Sequence, residues 1–314
     1  MDLFTHLVFG ALMYILFLKE VTFDYIFLAI FFSVLPDLDI FITPLKRISK
    51  SKYLDHRGGS HSYVIGILIS VIGGIIYSAL THRSFLISWI ICMVFYGLHV
   101  SMDLLTTTKI PYLYPLSKKE YSFYAEKAGS LFTMVNSVIF LILLGVSYHN
   151  SADILLFRLL INLYTSFFII YYLYRIISKV WLSSKLKSNQ KYLPGILPFY
   201  YTIYNNEMVE NEISLSLERK FHFSKTKKIG NINTVLNTEE MVLFKKGMEL
   251  YKANYYYAKW TVFPIFMRNE GIFSIKFFFL ETMMRNRTMY IQFDFSTLTQ
   301  QVIGFNRGSG SIQP

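Results

Sequence analysis

The amino-terminal part of this chain consists of long, almost uncharged apolar blocks separated by short polar segments. A backbone that lies in hydrocarbon must satisfy its hydrogen bonds internally, so such blocks predict membrane-spanning helices. The predicted spans are residues 7–18, 21–36, 63–80, 85–105, 131–148 and 154–177. The first two are short for a hydrocarbon core about 30 Å thick, so we expect them to tilt or to cross it only in part.

The composition agrees with a membrane protein. Hydrophobic residues make up 53% and charged residues 16% of the 314 positions, and the mean hydropathy is +0.38. A water-soluble domain of this length rarely reaches these values. The first residues lack a basic region and a small-residue cleavage pattern, which argues against a cleaved signal peptide. The single cysteine, Cys92, excludes an intrachain disulfide and a thiolate metal cluster.

Lysine and arginine are concentrated in the segments that follow the second, fourth and sixth predicted spans. These residues are Lys46, Arg47, Lys50, Lys52, Arg57, Lys109, Lys118, Lys119, Lys127, Lys179, Lys185, Lys187 and Lys191. The positive-inside rule therefore predicts a multi-pass protein with a cytoplasmic N-terminus and a cytoplasmic C-terminal region. The net charge of +11 is explained by these topogenic charges facing anionic lipid. We expect no nucleic-acid partner, because the basic residues form no stripe interleaved with aromatic residues.

Histidines and aspartates gather at the span ends on this same side of the membrane. They are His6, Asp37, Asp39, His56, His61, His99 and Asp103. Ionisable groups are costly at membrane depth, so their convergence on one face indicates a functional site. Two other histidines, His82 and His149, map to the opposite face, as ordinary loop residues would.

The spacing of these residues indicates a metal centre. His99 and Asp103 lie four apart on a predicted helix, so both can address one ion. Asp37 and Asp39 follow a proline, where two carboxylates could bridge two ions or divide between ligand and general base. Nitrogen and oxygen donors without sulfur favour zinc, with manganese or iron as alternatives, in one or two ions. We predict all seven residues as ligands, with catalytic roles for Asp37 and Asp39, and Arg57 as a clamp for a substrate anion.

Each element also has a simpler interpretation. A single histidine at a membrane interface is more often an ordinary polar residue than a ligand. Asp37 and Asp39 could merely end a helix after Pro36. Arg57 could serve topology or neutralise Asp55. The joint occurrence of these residues on one predicted face favours the metal site over the separate explanations.

Four motifs occur in a fixed order in about the first 125 residues. They are Thr5-His6, Leu35-Pro36-Asp37-Leu38-Asp39, His56-Arg57-Gly58-Gly59-Ser60-His61-Ser62, and Gly97-Leu98-His99-Val100-Ser101-Met102-Asp103, the last running on to Tyr114-Pro115-Leu116-Ser117. Together they resemble the YdjM-like family, which is described as LexA-binding, inner-membrane-associated metal-dependent hydrolases. The resemblance implies a prokaryotic, multi-pass inner-membrane protein with a hydrolytic metal site at these histidines and aspartates. It implies a class of enzyme and no particular substrate.

We therefore predict a membrane-bound metal-dependent hydrolase that cleaves a phosphoester or ester in a lipid-like substrate through a metal-activated water. A site at headgroup level favours a lipid, because the substrate need not leave the bilayer. The alternative is a non-catalytic metal-binding scaffold or regulator that recruits a partner through its C-terminal domain. A transporter is disfavoured, because the cluster lies at span ends and no inverted repeat is visible. The sequence leaves the oligomeric state open.

The remainder of the chain has a different pattern. Residues 183–191 are polar and basic, as in a linker. Alternating apolar residues predict strands at 199–204, 212–217, 272–280 and 289–295, and helical spacing predicts a helix at 238–259. The predicted architecture is thus a membrane all-α bundle of about six transmembrane helices (1–182), a linker (183–191), a small soluble α+β domain with an antiparallel sheet (192–305) and a disordered tail (306–314).

Overall fold

The computed structural model describes residues 1–18, 24–41, 56–149, 154–221, 227–253, 259–284 and 287–312. The chain divides into two compact units, Met1–Ser178 and Lys179–Pro314. We call them the helical unit and the strand-rich unit. The predicted loop lysines and arginines between residues 42 and 55 lie outside the described residues.

Among the described residues, six α-helices form the first part of the chain, and each falls on a predicted span. They are α1 (Leu3–Leu18), α2 (Asp24–Val34), α3 (Tyr63–Thr81), α4 (Phe85–Leu104), α5 (Leu131–His149) and α6 (Ile154–Ser183). Within the described residues, three of them (α3, α4 and α6) are long and apolar enough to cross a membrane. The apolar stretches in α1 (Leu3–Phe17) and α5 (Leu131–Ser147) are shorter, and α2 has only 11 residues. The helical segments are therefore found, whereas the predicted count of about six transmembrane helices is not confirmed.

Close helix contacts hold the helical unit together. Gly10 of α1 faces Ser33 of α2 so closely that a Cβ at Gly10 would overlap the Ser33 hydroxyl. A Cβ at Gly74 of α3 would lie 2.9 Å from the Cα of Trp89 in α4. Small residues at such crossings let helix backbones approach, and packing rather than hydrophobicity drives helix association in lipid. The crossing at Gly10 lies one turn from His6 and therefore helps to set its position.

Two short 3₁₀ helices at the ends of the long helices carry the acidic and histidine motifs. The first, Leu35–Phe41, follows α2 directly, and the second, Gly59–His61, immediately precedes α3. Ser62 caps α3, because its hydroxyl accepts a hydrogen bond of 3.2 Å from the backbone of Val64. The backbone of Arg57 has a φ of 61°, a left-handed conformation in which the chain turns toward the second 3₁₀ helix.

Apart from the short 3₁₀ helix Leu280–Thr282 and the last residues of α6, the described part of the strand-rich unit contains eight strands and one α-helix. They are β1 (Gln190–Pro194), β2 (Tyr200–Val209), β3 (Glu212–Phe221), β4 (Lys227–Val235), α7 (Thr238–Ala253), β5 (Val262–Asn269), β6 (Ile272–Phe279), β7 (Arg287–Ser296) and β8 (Val302–Ser311). The strands form two antiparallel four-stranded sheets, β1-β2-β3-β4 and β5-β6-β7-β8. The α+β class is confirmed, with two sheets in place of the single sheet predicted.

The two sheets pack against each other through alternate side chains. Ile213, Leu215 and Leu217 of β3 are buried, and the Tyr204 ring of β2 contacts Phe263 of β5 at 6.1 Å between centroids. Alternation along a strand sends every second side chain to the same face, which accounts for this core. The opposite face of the first sheet carries its own small cluster, which includes Leu182 and Ile203.

Several predicted boundaries in the strand-rich unit differ from the structure. The predicted linker at 183–191 overlaps β1, which begins at Gln190, and β2 and β3 extend to Val209 and Phe221, beyond the predicted strand ends at 204 and 217. The helix predicted at 238–259 ends at Ala253, and residues 254–258 lie outside the described part. The segment predicted as a disordered tail at 306–314 is largely strand, because β8 continues to Ser311 and pairs with β7. The glycines and polar residues of β8 do not alternate with apolar residues, so the strand could not be recognised from the sequence. An edge strand can pair through its backbone hydrogen bonds without having a buried face.

Candidate metal centre

The ends of four elements meet at the candidate site. Asp37 and Asp39 lie on the 3₁₀ helix that follows α2, and His61 lies on the one that precedes α3. His99 and Asp103 occupy the last two turns of α4, and His6 the first turn of α1. The turn at residues 56–58 adds His56 and Arg57. Each position is a helix end, where a polar side chain can converge with others without interrupting an apolar span.

Four of these residues form a compact set of donor atoms. Asp37, His61, His99 and Asp103 each offer one donor, and the four donors lie within 4.8 Å of one another. The Nε2 atom of His61 lies 3.2 Å from Nε2 of His99, 3.2 Å from Oδ2 of Asp103 and 3.5 Å from Oδ1 of Asp37. Tetrahedral donors placed about 2.1 Å from an ion are about 3.4 Å apart. The observed spacing therefore fits the coordination sphere of a single small cation.

Hydrogen bonds assign the ring tautomers of the two histidines. The Nδ1 atom of His99 lies 2.8 Å from the backbone carbonyl of Ser33, which can only accept, so this nitrogen carries the proton. The Nδ1 atom of His61 lies 3.1 Å from the Ser60 hydroxyl and 3.4 Å from Oδ2 of Asp39. The Ser60 hydroxyl donates to Asp39, so it accepts from His61. Both Nε2 atoms consequently present lone pairs to the space between the four residues.

Two buried carboxylate oxygens lack hydrogen bonds at this point. Among the described residues, neither Oδ1 of Asp37 nor Oδ2 of Asp103 accepts one. The Arg57 guanidinium lies 3.4 Å from Oδ2 of Asp103 without donating a hydrogen bond to it. A buried anionic oxygen that accepts no hydrogen bond is unfavourable, and a cation in direct contact with it would remove that penalty. Two imidazole lone pairs and two unsatisfied carboxylate oxygens therefore fit a divalent metal. A donor set without sulfur suits zinc, manganese or iron, and the set does not distinguish among them.

Asp39 supports the donor set and is already satisfied by hydrogen bonds. Its carboxylate accepts from Nδ1 of His56 at 2.6 Å, from the backbone of Arg57 at 3.0 Å and from the hydroxyl of Ser60 at 2.5 Å. Burial alone would raise the pKa of Asp39, but the hydrogen bond from His56, the nearby His61 ring and the hydrogen bond from Ser60 hold that pKa well below its usual range. Asp39 is thus ionised and orients two imidazoles, the arrangement that commonly surrounds a ligating histidine.

His6 and Arg57 both contact Asp103. The Nε2 atom of His6 lies 3.3 Å from Oδ1 of Asp103, and its ring stacks on that of His99 with centroids 3.7 Å apart. The Nε atom of Arg57 lies 3.4 Å from Oδ2 of Asp103, and its Nη2 atom donates to the backbone carbonyl of Met1 at 2.6 Å. These contacts hold the Asp103 carboxylate with one oxygen toward the donor set and the other toward His6.

The structure thus gathers all eight residues that the sequence singled out. Four share the donor set, and the other four contact its members directly or through Asp39. His56 differs from the rest because its side chain is 35% exposed, whereas those of His6, His61, His99 and Asp103 are at most 1% exposed. His82 is not part of the cluster; it follows α3 at the end opposite to His61.

Sequence reasoning missed a second buried polar group in the helical unit. Arg175 of α6 forms an ion pair with Glu126, with 2.8 Å between Nε and Oε2, and the Tyr171 hydroxyl also donates to Glu126. All three side chains are buried. The sequence did contain a signal for this pair. Arg175 lies inside the predicted span 154–177, and a charged residue inside a span requires a partner. By contrast, the sequence could not indicate that the backbone carbonyl of Ser33 orients His99, since every residue carries a backbone carbonyl.

Comparison with known proteins identifies one family. The family model for the YdjM inner membrane protein matches residues 1–182, which include the whole donor set and every residue around it. No curated protein and no solved structure matches the chain. The match spans more than half of the 314 residues and agrees with the resemblance of the four ordered motifs.

Proposed function

We propose that this chain, which belongs to the YdjM inner membrane protein family, is a membrane-bound metal-dependent hydrolase of lipid-like phosphoesters or esters. The donor set of Asp37, His61, His99 and Asp103 carries the proposal, together with its two carboxylate oxygens that accept no hydrogen bond among the described residues. The proposed metal is zinc, with manganese or iron as alternatives. When bound, such an ion supplies Lewis acidity toward water and toward a carbonyl or phosphoryl oxygen.

We propose that His56 transfers the proton in this reaction. Asp39 holds its Nδ1 atom at 2.6 Å, so the Nε2 atom is left to exchange a proton with water at the exposed edge of the cluster. We assign proton transfer to this pair in place of Asp39 alone, because Asp39 already accepts hydrogen bonds from three groups. An imidazole oriented by a carboxylate is a recurrent general base and general acid.

Arg57 has a positioning role in addition to the anion-binding role that we propose for it. Its contacts with Asp103 and with the Met1 carbonyl fix one side of the donor set. A guanidinium held beside the site also supplies positive charge where the substrate phosphate or carboxylate would develop negative charge. Substituting lysine would keep the charge and lose the two-sided contact.

An apolar groove between α1 and α4 supports a substrate with a hydrocarbon chain. Its volume is about 350 Å³, and it is lined by Met13, Phe17, Ile87, Ile90, Ile91, Val94, Phe95 and Leu98. Along α4 it extends from Ile87 to Leu98, about 16 Å at the rise of an α-helix. One leaflet of a hydrocarbon core is about 15 Å thick. Because Leu98 precedes His99, an acyl chain in this groove would begin beside the donor set.

The proposal includes a cytoplasmic orientation of the site in a multi-pass inner-membrane protein. Lys109, Lys118 and Lys119 follow α4 at the same helix end that carries His99 and Asp103. Positive charge beside a span end favours the cytoplasmic side. The strand-rich unit begins at Lys179, near the end of α6, and its first residues include the lysines Lys185 and Lys187. We propose that it lies on the same side of the membrane.

A lipid-turnover assay tests the proposed function. Purified full-length protein, loaded with Zn²⁺ or Mn²⁺, is incubated with a lipid extract, and the products are separated by thin-layer chromatography. We expect one lipid class to be consumed, with loss of turnover in the Asp37→Asn variant. His82→Ala is the matched control, because His82 is exposed and lies outside the cluster. Absence of turnover of every lipid class by the metal-loaded protein would contradict the proposal.

One observation favours the alternative of a non-catalytic metal-binding scaffold or regulator. The four protein donors can fill all four positions of a tetrahedral ion, and the side chains of His61, His99 and Asp103 are completely buried. Structural metal sites are closed in this way, whereas catalytic sites keep one position open. A stoichiometric metal whose removal unfolds the protein, without any lipid turnover, would support the scaffold.

A further inference from the structure

The strand-rich unit contains a cavity of its own, with a volume of about 330 Å³. It is lined by Trp181, Leu182, Lys185, Leu186, Gln190, Tyr201, Ile203, Asn205, Ser216, Glu218 and Lys220. Every one of these residues belongs to the segment that begins at Lys179. The volume is at the lower end of the range for small-ligand sites.

One face of the β2–β3 pair forms the wall of this cavity. Antiparallel pairing places Tyr201 opposite Lys220, Ile203 opposite Glu218 and Asn205 opposite Ser216. Residues two apart along a strand share a face, so these six side chains form two adjacent rows. Leu182 and Leu186 pack against Tyr201 and Ile203 in one apolar cluster. The cavity therefore has an apolar floor and a polar rim.

The rim carries both signs of charge. Lys220 and Glu218 lie 3.8 Å apart, and their side chains are 32% and 30% exposed. The ammonium of Lys185 lies 3.7 Å from the ring centroid of Trp181, a contact that holds it over the ring. A ligand that presents both a negative and a positive group would complement these two lysines and the glutamate.

Asn205 adds a requirement for a hydrogen-bond donor. Its Oδ1 atom is buried, and among the described residues no group donates to it. A buried amide oxygen normally accepts a hydrogen bond, so we expect a bound ligand to supply the donor for this atom. A primary ammonium can donate to Asn205 and Glu218 together, whereas a quaternary ammonium has no hydrogen to donate.

The position of the cavity along the chain indicates that the ligand also has an apolar part. Trp181 and Leu182 belong to the last turn of α6, whose residues Leu155–Ser183 are long and apolar enough to span a membrane. Tryptophan and lysine at the end of a span lie at the level of the lipid headgroups. A cavity lined by this last turn can thus receive a headgroup whose chains stay in the bilayer.

We propose that this cavity binds the headgroup of a zwitterionic phospholipid that carries a primary ammonium. Lys185 and Lys220 contact the phosphate, and Glu218 and the Oδ1 atom of Asn205 accept hydrogen bonds from the ammonium. The apolar floor contacts the glycerol and the first methylene groups. This binding does not depend on hydrolysis at the metal centre, because the cavity shares no residue with that site.

Short-chain lipids titrated into the full-length protein in detergent test this assignment by calorimetry. The probes are dihexanoyl phosphatidylethanolamine, dihexanoyl phosphatidylcholine and dihexanoyl phosphatidylglycerol. We expect the ethanolamine lipid to bind at least about tenfold more tightly than the other two, which is about 1.4 kcal/mol. Water-soluble glycerophosphoethanolamine forms a fourth arm, and we expect it to bind more weakly than the lipid because it cannot contact the apolar floor.

Two variants assign the contacts. Glu218→Gln keeps the shape of the side chain, and we expect it to abolish the preference for ethanolamine over choline. Lys185→Met lies on an exposed turn, and we expect it to weaken all three lipids several-fold. Glu212→Gln and Lys227→Met, which are exposed and outside the cavity, serve as matched controls and should bind as the parent does.

Several results would overturn the assignment. Equal affinity for ethanolamine and choline lipids would remove the role of the ammonium, and tighter binding of the glycerol lipid would indicate an anionic headgroup. Equal binding of glycerophosphoethanolamine and its lipid would indicate a soluble ligand. Circular dichroism checks that each variant is folded. If Glu218→Gln fails that check, an unchanged lipid preference in Asn205→Leu would contradict the proposal equally well.

Discussion

The Nε2 atoms of His61 and His99 face each other at a distance of 3.2 Å, although the Nδ1 atom of each ring is already engaged in a hydrogen bond. If both Nδ1 atoms carry protons, neither Nε2 atom can donate to the other, and the two lone pairs repel. A cation between them converts that repulsion into coordination. This relationship is the strongest physical reason for placing a metal at the site, and it governs the first expectation.

Metal content should depend on these two rings and not on other histidines. We expect the purified protein to carry close to one equivalent of zinc, manganese or iron, and the His99→Ala variant to retain less than about a tenth of it. Elemental analysis measures the content. His82→Ala, at the exposed end of α3, should keep the parent value. Full metal occupancy in His99→Ala would show that this ring is not a ligand.

His56 should affect turnover more than metal binding. His56 lies outside the four-donor set and is partly exposed. We therefore expect the His56→Gln variant to keep its metal while its kcat falls by a factor of about 10² to 10⁴. Steady-state kinetics with the lipid class identified in the turnover assay, together with metal analysis, checks both halves. Loss of metal in parallel with activity would return His56 to the role of ligand predicted from the sequence.

The α1–α4 groove should select for hydrocarbon length. Val94 lines the groove, and a Val94→Trp substitution fills part of it. We expect turnover of long-chain substrates to fall about tenfold relative to short-chain substrates with the same headgroup. Ile72→Trp, on the exposed face of α3 and outside the groove, is the matched control. An unchanged ratio of long-chain to short-chain rates in Val94→Trp would place the acyl chain elsewhere.

The buried pair of Glu126 and Arg175 should matter mainly to stability. Removing one partner leaves a buried charge uncompensated, which typically costs about 3–5 kcal/mol. We therefore expect Arg175→Met to lower the unfolding midpoint strongly in detergent. The double variant Glu126→Gln with Arg175→Met should recover much of that loss, because no unpaired charge remains. Thermal unfolding followed by circular dichroism measures both variants, and a double variant no more stable than the single one would contradict this account.

The ion pair between Glu240, at the start of α7, and Arg268 should make a pH-dependent contribution to the stability of the strand-rich unit. Arg268 holds Glu240 through hydrogen bonds of 2.5 and 3.0 Å, and these bonds hold the pKa of Glu240 below its usual value. A lowered pKa in the folded state gives stability that is present above the pKa of the unfolded chain, about 4.3, and is lost as the pH falls through the folded value.

The effect should be small, because Arg268 is half exposed and surface ion pairs contribute about 1 kcal/mol or less. We expect the Arg268→Met variant to lose the corresponding part of the acid dependence of unfolding below about pH 5. Thermal scans between neutral and acidic pH check this, with Arg287→Met as a control on an exposed position of β7. An acid dependence identical to that of the parent would exclude the contribution.

Local pattern located the helices of the helical unit and about half of the strands of the strand-rich unit. The six helices fall on the six apolar blocks, because each block satisfies its own backbone hydrogen bonds. Strand alternation located β2, β3, β6 and β7 in the same way. The strands β1, β4 and β5 were not predicted. Most of β8 was predicted as a disordered tail, because its exposed, glycine-containing sequence lacks a buried row. Its pairing with β7 depends on a partner that precedes it in the chain.

The sequence by itself determined which residues could belong to the site, since ionisable groups beside apolar spans are few and fall at helix ends. Only the tertiary structure decided their roles. Asp37 and Asp39 are two residues apart, yet one joins the donor set and the other is saturated by hydrogen bonds from His56, Arg57 and Ser60. The physical reason is that coordination and tautomer depend on which groups from distant segments share a buried volume, and spacing along one segment cannot specify those neighbours.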